Sequence, residues 1–84
     1  MGGAPIGRSW VVIMRTGATA IDWGGGQFQD VISGDFFNAA EREVSHRAND
    51  SDLDWLKHIG RVYDYDNTNV YFTGLPDLPS RNIS

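Results

Sequence analysis

The sequence predicts a small α+β domain, in which an antiparallel sheet, built from an N-terminal three-stranded meander and a C-terminal hairpin, carries one or two short helices. Three observations predict it. Residues 9–15 (Ser-Trp-Val-Val-Ile-Met-Arg) are an unbroken apolar, β-branched run, the pattern of a strand covered on both faces. Residues 62–73 alternate about Asp66-Asn67-Thr68-Asn69, as a hairpin does about its turn. Between them, residues 51–60 carry a helical stripe with both ends marked. At 84 residues the chain suits one domain, because separate cores arise only in chains several times longer. With 40% hydrophobic residues and ten aromatics, it holds enough apolar surface to collapse.

Taken in chain order, residues 1–8 are Gly-rich and read as a flexible arm. A single domain then spans 9–73, and residues 74–84, with Pro76 and Pro79, read as an extended tail. The run at 9–15 takes the place of the central strand. Thr16-Gly17 punctuates, a second strand covers 18–23, and Gly24-Gly25-Gly26 ends it. Residues 27–33 form the third strand, with Ser33-Gly34-Asp35 as a turn before Phe36-Phe37.

Asn38-Ala39-Ala40-Glu41 has the form of a capping box. A helix from there would present only Ala40, Val44 and Ala48, with Glu43 and Arg47 paired at i, i+4. Residues 41–46 also alternate as an edge strand would, so 39–48 stay open between the two. The next helix has clearer signals. Ser51 is placed to cap it, Asp52 and Asp54 suit its first turn, Leu53, Leu56 and Ile59 share a face beside Trp55, Lys57 and His58 suit its last turn, and Gly60 follows. If Asn67-Thr68 are the central turn residues, Tyr65 opposes Val70, Asp64 opposes Tyr71, and Tyr63 opposes Phe72. Tyr63, Tyr65, Val70 and Phe72 then face inward, and Val62, Asp64, Tyr71 and Thr73 outward.

Charge and composition bound the function. Seven basic residues stand against eleven acidic ones, net −4, with nine Asp to two Glu and six Arg to one Lys. An acidic balance disfavours nucleic acid and anionic membrane, which recruit Lys and Arg surpluses. The absence of cysteine excludes disulfides, thiolate nucleophiles, zinc ribbons and iron–sulfur clusters. No basic leader or membrane-length apolar run is present, so a cytoplasmic protein is expected.

Site motifs are few. Asp50-x-Asp52-x-Asp54 begins like an EF-hand loop, yet Trp55 stands where Gly is required and Arg61 where a bidentate Glu is required. Asp64-x-Asp66-x-Thr68 is better explained by a turn. His46 and His58 lack a metal-binding spacing, and Ser9, Ser33, Ser45 and Ser51 lie in no nucleophile elbow. The triglycine precedes a strand, without the helix and Lys of a phosphate loop. With Trp23 and Phe28 at its flanks it suits a mobile tip for a partner. No catalytic residue, metal or cofactor is assigned.

A non-enzymatic protein-interaction domain is expected, a regulatory or inhibitory accessory protein that turns acids toward a basic partner. Its contact residues are Asp50, Asp52, Asp54, Asp64 and Asp66, which gather in one helix-and-hairpin unit, with Tyr71 and Trp23. The alternative is a nucleic-acid-binding domain using Arg8, Arg15, Arg42, Arg47 and Arg61 with Trp10, Trp23 and Tyr71. A carboxylate-based enzyme, pairing Asp35 with Glu41 or Glu43, comes third. Homo-oligomerisation would follow if residues 18–23 or 27–33 left an unpaired sheet edge.

Overall fold

A computed structural model of the chain describes residues 5–73. Its strands are β1 (Pro5–Gly7), β2 (Val11–Met14), β3 (Thr19–Gly24), β4 (Gln27–Asp30), β5 (Phe36–Asn38), β6 (Val44–Arg47), β7 (Val62–Tyr65) and β8 (Asn69–Phe72), with one α-helix, α1 (Asp50–His58). Two antiparallel sheets result, one ordered β1-β8-β7 and the other β5-β4-β3-β2-β6. The α+β class holds, with the strands divided between two sheets.

The first apolar run is interrupted. Arg8–Trp10 make a 3-10 turn that carries the chain from β1 in the small sheet to β2 in the large one. Pro5–Gly7, placed in the N-terminal arm by composition, pair with β8, and the expected C-terminal tail lies outside the described residues. β2 is covered on both faces as its sequence predicts: Val11 belongs to one core cluster, Val12 and Met14 to another. The middle position of the sheet belongs to β3. β5 adds beyond β4 on one side, while only β6 lies beyond β2 on the other, because the C-terminal hairpin pairs with β1 in the small sheet.

Within residues 39–48, the strand reading holds over Val44–Arg47. Glu41–Glu43 form a 3-10 turn that no side chain caps, and β6 pairs with β2 through Val12↔Arg47, Ile13↔His46 and Met14↔Val44. The alternatives differ in what they satisfy. A helix would bury little beyond two alanines and a valine, whereas the strand fills the open hydrogen-bonding edge of an apolar strand, extended by Arg15 N–H to Glu43 O at 2.7 Å and Ala48 N–H to Val11 O at 2.8 Å.

β4 ends earlier than expected because Asp30 turns the chain. Its Oδ1 accepts the N–H groups of Ile32 and Ser33 at 2.8 and 3.1 Å, an acceptor role for which Asp is well suited. Phe36–Asn38 then pair with β4 as an added strand. β3 and β4, whose edges would invite oligomerisation if left unpaired, are both interior. Oligomerisation through those edges is therefore ruled out by the topology.

One core joins the sheets. Val11 and Ile21 from the large sheet and Val31 from the turn after β4 meet Ile6, Val62, Val70 and Phe72 from the small sheet and Leu53 and Leu56 from α1. A second cluster, Val12, Met14, Ala20 and Phe28, fills the reverse face of the large sheet beneath Phe37, Ala39 and Val44. Helix α1 is capped by Asn49, not Ser51: the Asn49 side chain accepts the Asp52 N–H and the Asp52 carboxylate accepts the Asn49 N–H, both at 3.0 Å. Gly60 follows with φ +82°, a left-handed residue after the helix end.

The hairpin keeps its predicted turn, with Tyr65↔Val70 and Asp64↔Tyr71. Below it a bulge places Val62 opposite Phe72 in the position expected for Tyr63. Val62 is buried and Tyr63 is 54% exposed. The core takes the aliphatic residue and the bulge releases the tyrosine, whose hydroxyl stays in water.

Candidate interaction surface

The candidate surface is assembled around Tyr65, at the end of β7. Its hydroxyl donates to the Asp54 carboxylate on α1 and lies 3.5 Å from the Asp50 carbonyl oxygen. The Arg8 guanidinium and the Lys57 ammonium lie 5.5 and 5.6 Å from its ring centroid, within cation–π range. Arg8 also pairs with the Asp50 carboxylate and donates to the Asp66 carbonyl at 3.1 Å. One cation therefore ties the helix start to the hairpin turn.

The local sequence explains how the acids arrive there. Asp66 Oδ1 accepts the N–H groups of Thr68 and Asn69, both at 2.7 Å, which closes the turn. Asp64 Oδ1 accepts the Tyr65 N–H at 2.9 Å. Asp50 and Asp54 occupy positions one turn apart on α1. All four are exposed, and the Asp50 side chain keeps 75% exposure despite its ion pair.

Electrostatics record this gathering. The Tyr65 phenol is pushed up to about 12, first by its hydrogen bond to Asp54, then by desolvation and the charges of Asp54 and Asp50, with Arg8 opposing. The Asp66 carboxyl is held below its usual range, chiefly by the Asn69 and Thr68 N–H groups, with further help from the Tyr71 hydroxyl and Arg8.

Of the residues singled out from sequence, Asp54 meets the Tyr65 hydroxyl, Asp50 meets Arg8 beside it, and Asp64 and Asp66 flank Tyr65 along the hairpin. Tyr71 joins their edge, its ring 5.9 Å from that of Tyr63. Asp52 is drawn inward to the capping box and to His46, whose Nε2 lies 3.1 Å from Asp52 Oδ2. His46, itself exposed, links β6 to the helix start. Trp23 lies on β3 in the other sheet, its indole N–H donating to Gln29 at 3.1 Å. Phe28 is buried in the second cluster. The exposed triglycine turn thus joins a partly buried Trp23 to a buried Phe28.

Tyr65, an inward-facing residue by alternation, and Arg8 are the two members of this surface that lie outside the sequence-predicted contact residues. The available signal was Asp64 and Asp66 on either side of an aromatic at a hairpin end. Two further features are concave. A cavity of about 430 Å³ lies under the crossing from β5 to β6, lined by Met14, Phe37, Ala39, Arg42 and Glu43 among others. A groove of about 290 Å³ is lined by Ser9, Trp10, Asp22, Trp23, Gly24 and Arg47. Among the described residues, no group of three or more His, Asp or Glu side chains is arranged to hold a metal ion, and no helix is long and apolar enough to cross a membrane.

No protein family, curated protein or solved structure matches this chain.

Proposed function

We propose that the protein is a non-enzymatic interaction domain, a regulatory or inhibitory accessory protein that presents the acidic surface around Tyr65 to a basic partner. The observation that carries this reading is the placement of Asp50 and Asp54 on the helix beside Tyr65 and of Asp64 and Asp66 on either side of it in the hairpin, all four exposed. Hydrogen bonds made by neighbouring groups fix their positions, so a partner meets a charge pattern that costs little side-chain entropy to hold. Complementary charge of this kind raises association rates and excludes anionic competitors. The acids sit exposed on the helix, on β7 and in the turn after it, a placement suited to surface recognition more than to acid–base chemistry in a water-excluding cleft.

Affinity capture from the native host, with the wild-type chain beside a variant carrying Asn at positions 50, 54, 64 and 66, tests the reading. Asn keeps an acceptor oxygen and removes the charge. A basic protein retained at fixed stoichiometry by the wild type and lost by the variant is the expected result. Retention by both proteins, or recovery of nucleic acid in place of protein, would contradict it.

A further inference from the structure

We propose that the groove between Trp10 and Trp23 receives a Lys or Arg side chain of the protein partner. This rests on the reading of the chain as a module for basic partners and adds a second contact, on the large sheet. Trp10 ends the 3-10 turn and is 46% exposed. Its ring lies against the Gly7 backbone, where an added Cβ would stand 3.4 Å from Trp10 Cδ1. The Trp23 ring meets it edge to face, with centroids 5.9 Å apart and planes at 86°. Trp23 is held in turn by Gln29, a fully buried side chain that also donates to the Gly34 carbonyl at 3.0 Å. The indole corner is therefore set before any ligand arrives.

Its chemistry favours a cation. Indole faces are the most attractive of the side-chain π systems to ammonium and guanidinium groups. Asp22 lines the same groove, and although one of its oxygens accepts the Gly24 N–H at 2.9 Å, a carboxylate has room for further donors. Arg47 also lines the groove, exposed and without an ion-pair partner among the described residues. A groove with one carboxylate and one guanidinium selects a ligand that offers both a cation and an acceptor. A peptide segment does so, its basic side chain meeting Trp10 and Asp22 and its main-chain carbonyl meeting Arg47. A phosphodiester would bring its charge against Asp22, and an apolar side chain would desolvate both charges without compensation.

The test uses the indole N–H signals of the full chain in NMR, where Trp55, 49% exposed on α1, serves as an internal control. The probes are N-acetyl-arginine methylamide and N-acetyl-lysine methylamide, compared with the neutral N-acetyl-norleucine methylamide and a short oligothymidylate. Saturable shifts of Trp10 and Trp23, with Trp55 still, are expected from the cationic probes. Asp22→Asn, which keeps the oxygen for the Gly24 N–H, is expected to weaken them about fivefold, while Asp50→Asn, Asp54→Asn, Asp64→Asn and Asp66→Asn combined leave them unchanged. Equal response to the neutral probe, equal movement of Trp55, no movement at all, or a response to the oligonucleotide alone each overturns the assignment. If the groove stays silent while the surface around Tyr65 still binds a basic polypeptide, this inference fails and the proposed function does not.

Discussion

Tyr65 owes its place to both its parts: the ring is approached by two cations and the hydroxyl donates to a carboxylate on another element. The raised phenol means that the folded chain binds this proton more tightly than the unfolded chain does. Its contribution to stability is then complete below the ordinary value of 10.0 and is lost as pH rises from there through about 12. In ultraviolet titration, one of the three tyrosines should ionise near 12, and Tyr65→Phe should remove that step and flatten stability over the same range. Asp66 has the opposite sign. Its lowered carboxyl stabilises the fold above the ordinary value of 3.8, and that stabilisation is lost as pH falls below it. Neither role is written in a residue type. A Tyr among aspartates reads as one more inward aromatic until the fold brings α1 across it, and Gln29 likewise looks like a polar strand residue until burial makes it the support of Trp23.

At the scale of elements, capping gives the sharpest contrast between the two readings of α1. Asn49→Ala should cost about 1 kcal/mol in chemical denaturation, because it removes the acceptor of the Asp52 N–H. Ser51→Ala, at an exposed position inside the first turn, should stay within about 0.5 kcal/mol. A result in which Ser51→Ala is the costlier change would place the helix start two residues later. The helix itself, its Gly60 end and the hairpin turn were legible because each depends on neighbours in sequence. Residues 39–48 were not, since the choice of strand over helix was made by the open side of β2, which is remote in sequence. The bulge at Tyr63 escaped for the same kind of reason: alternation assigns faces, but only the core decides whether Val62 or Tyr63 enters it.

At the scale of the whole molecule, the two sheets are not separate folding units, because α1 and both sheets contribute to a single cluster. Tryptophan fluorescence and far-ultraviolet circular dichroism should therefore report coincident unfolding transitions. Leu56→Ala, at a fully buried position on α1, should lower stability by about 2–5 kcal/mol while keeping the transitions coincident. Separate transitions would show that the small sheet and helix come apart from the large sheet.

The same arrangement decides what the acidic excess can do. Of nine aspartates, Asp30 and Asp52 chiefly shape a turn and a helix cap, while four others stand exposed around Tyr65. A titration of the full chain with a short poly-lysine peptide by calorimetry at low salt compares that surface with the acids elsewhere. Asn at positions 50, 54, 64 and 66 should weaken binding at least about tenfold more than removing the same number of charges at Asp30, Asp35, Glu41 and Glu43, a difference of about 1.4 kcal/mol. Equal losses from the two sets would mean that the peptide senses only net charge, and would contradict a dedicated surface around Tyr65.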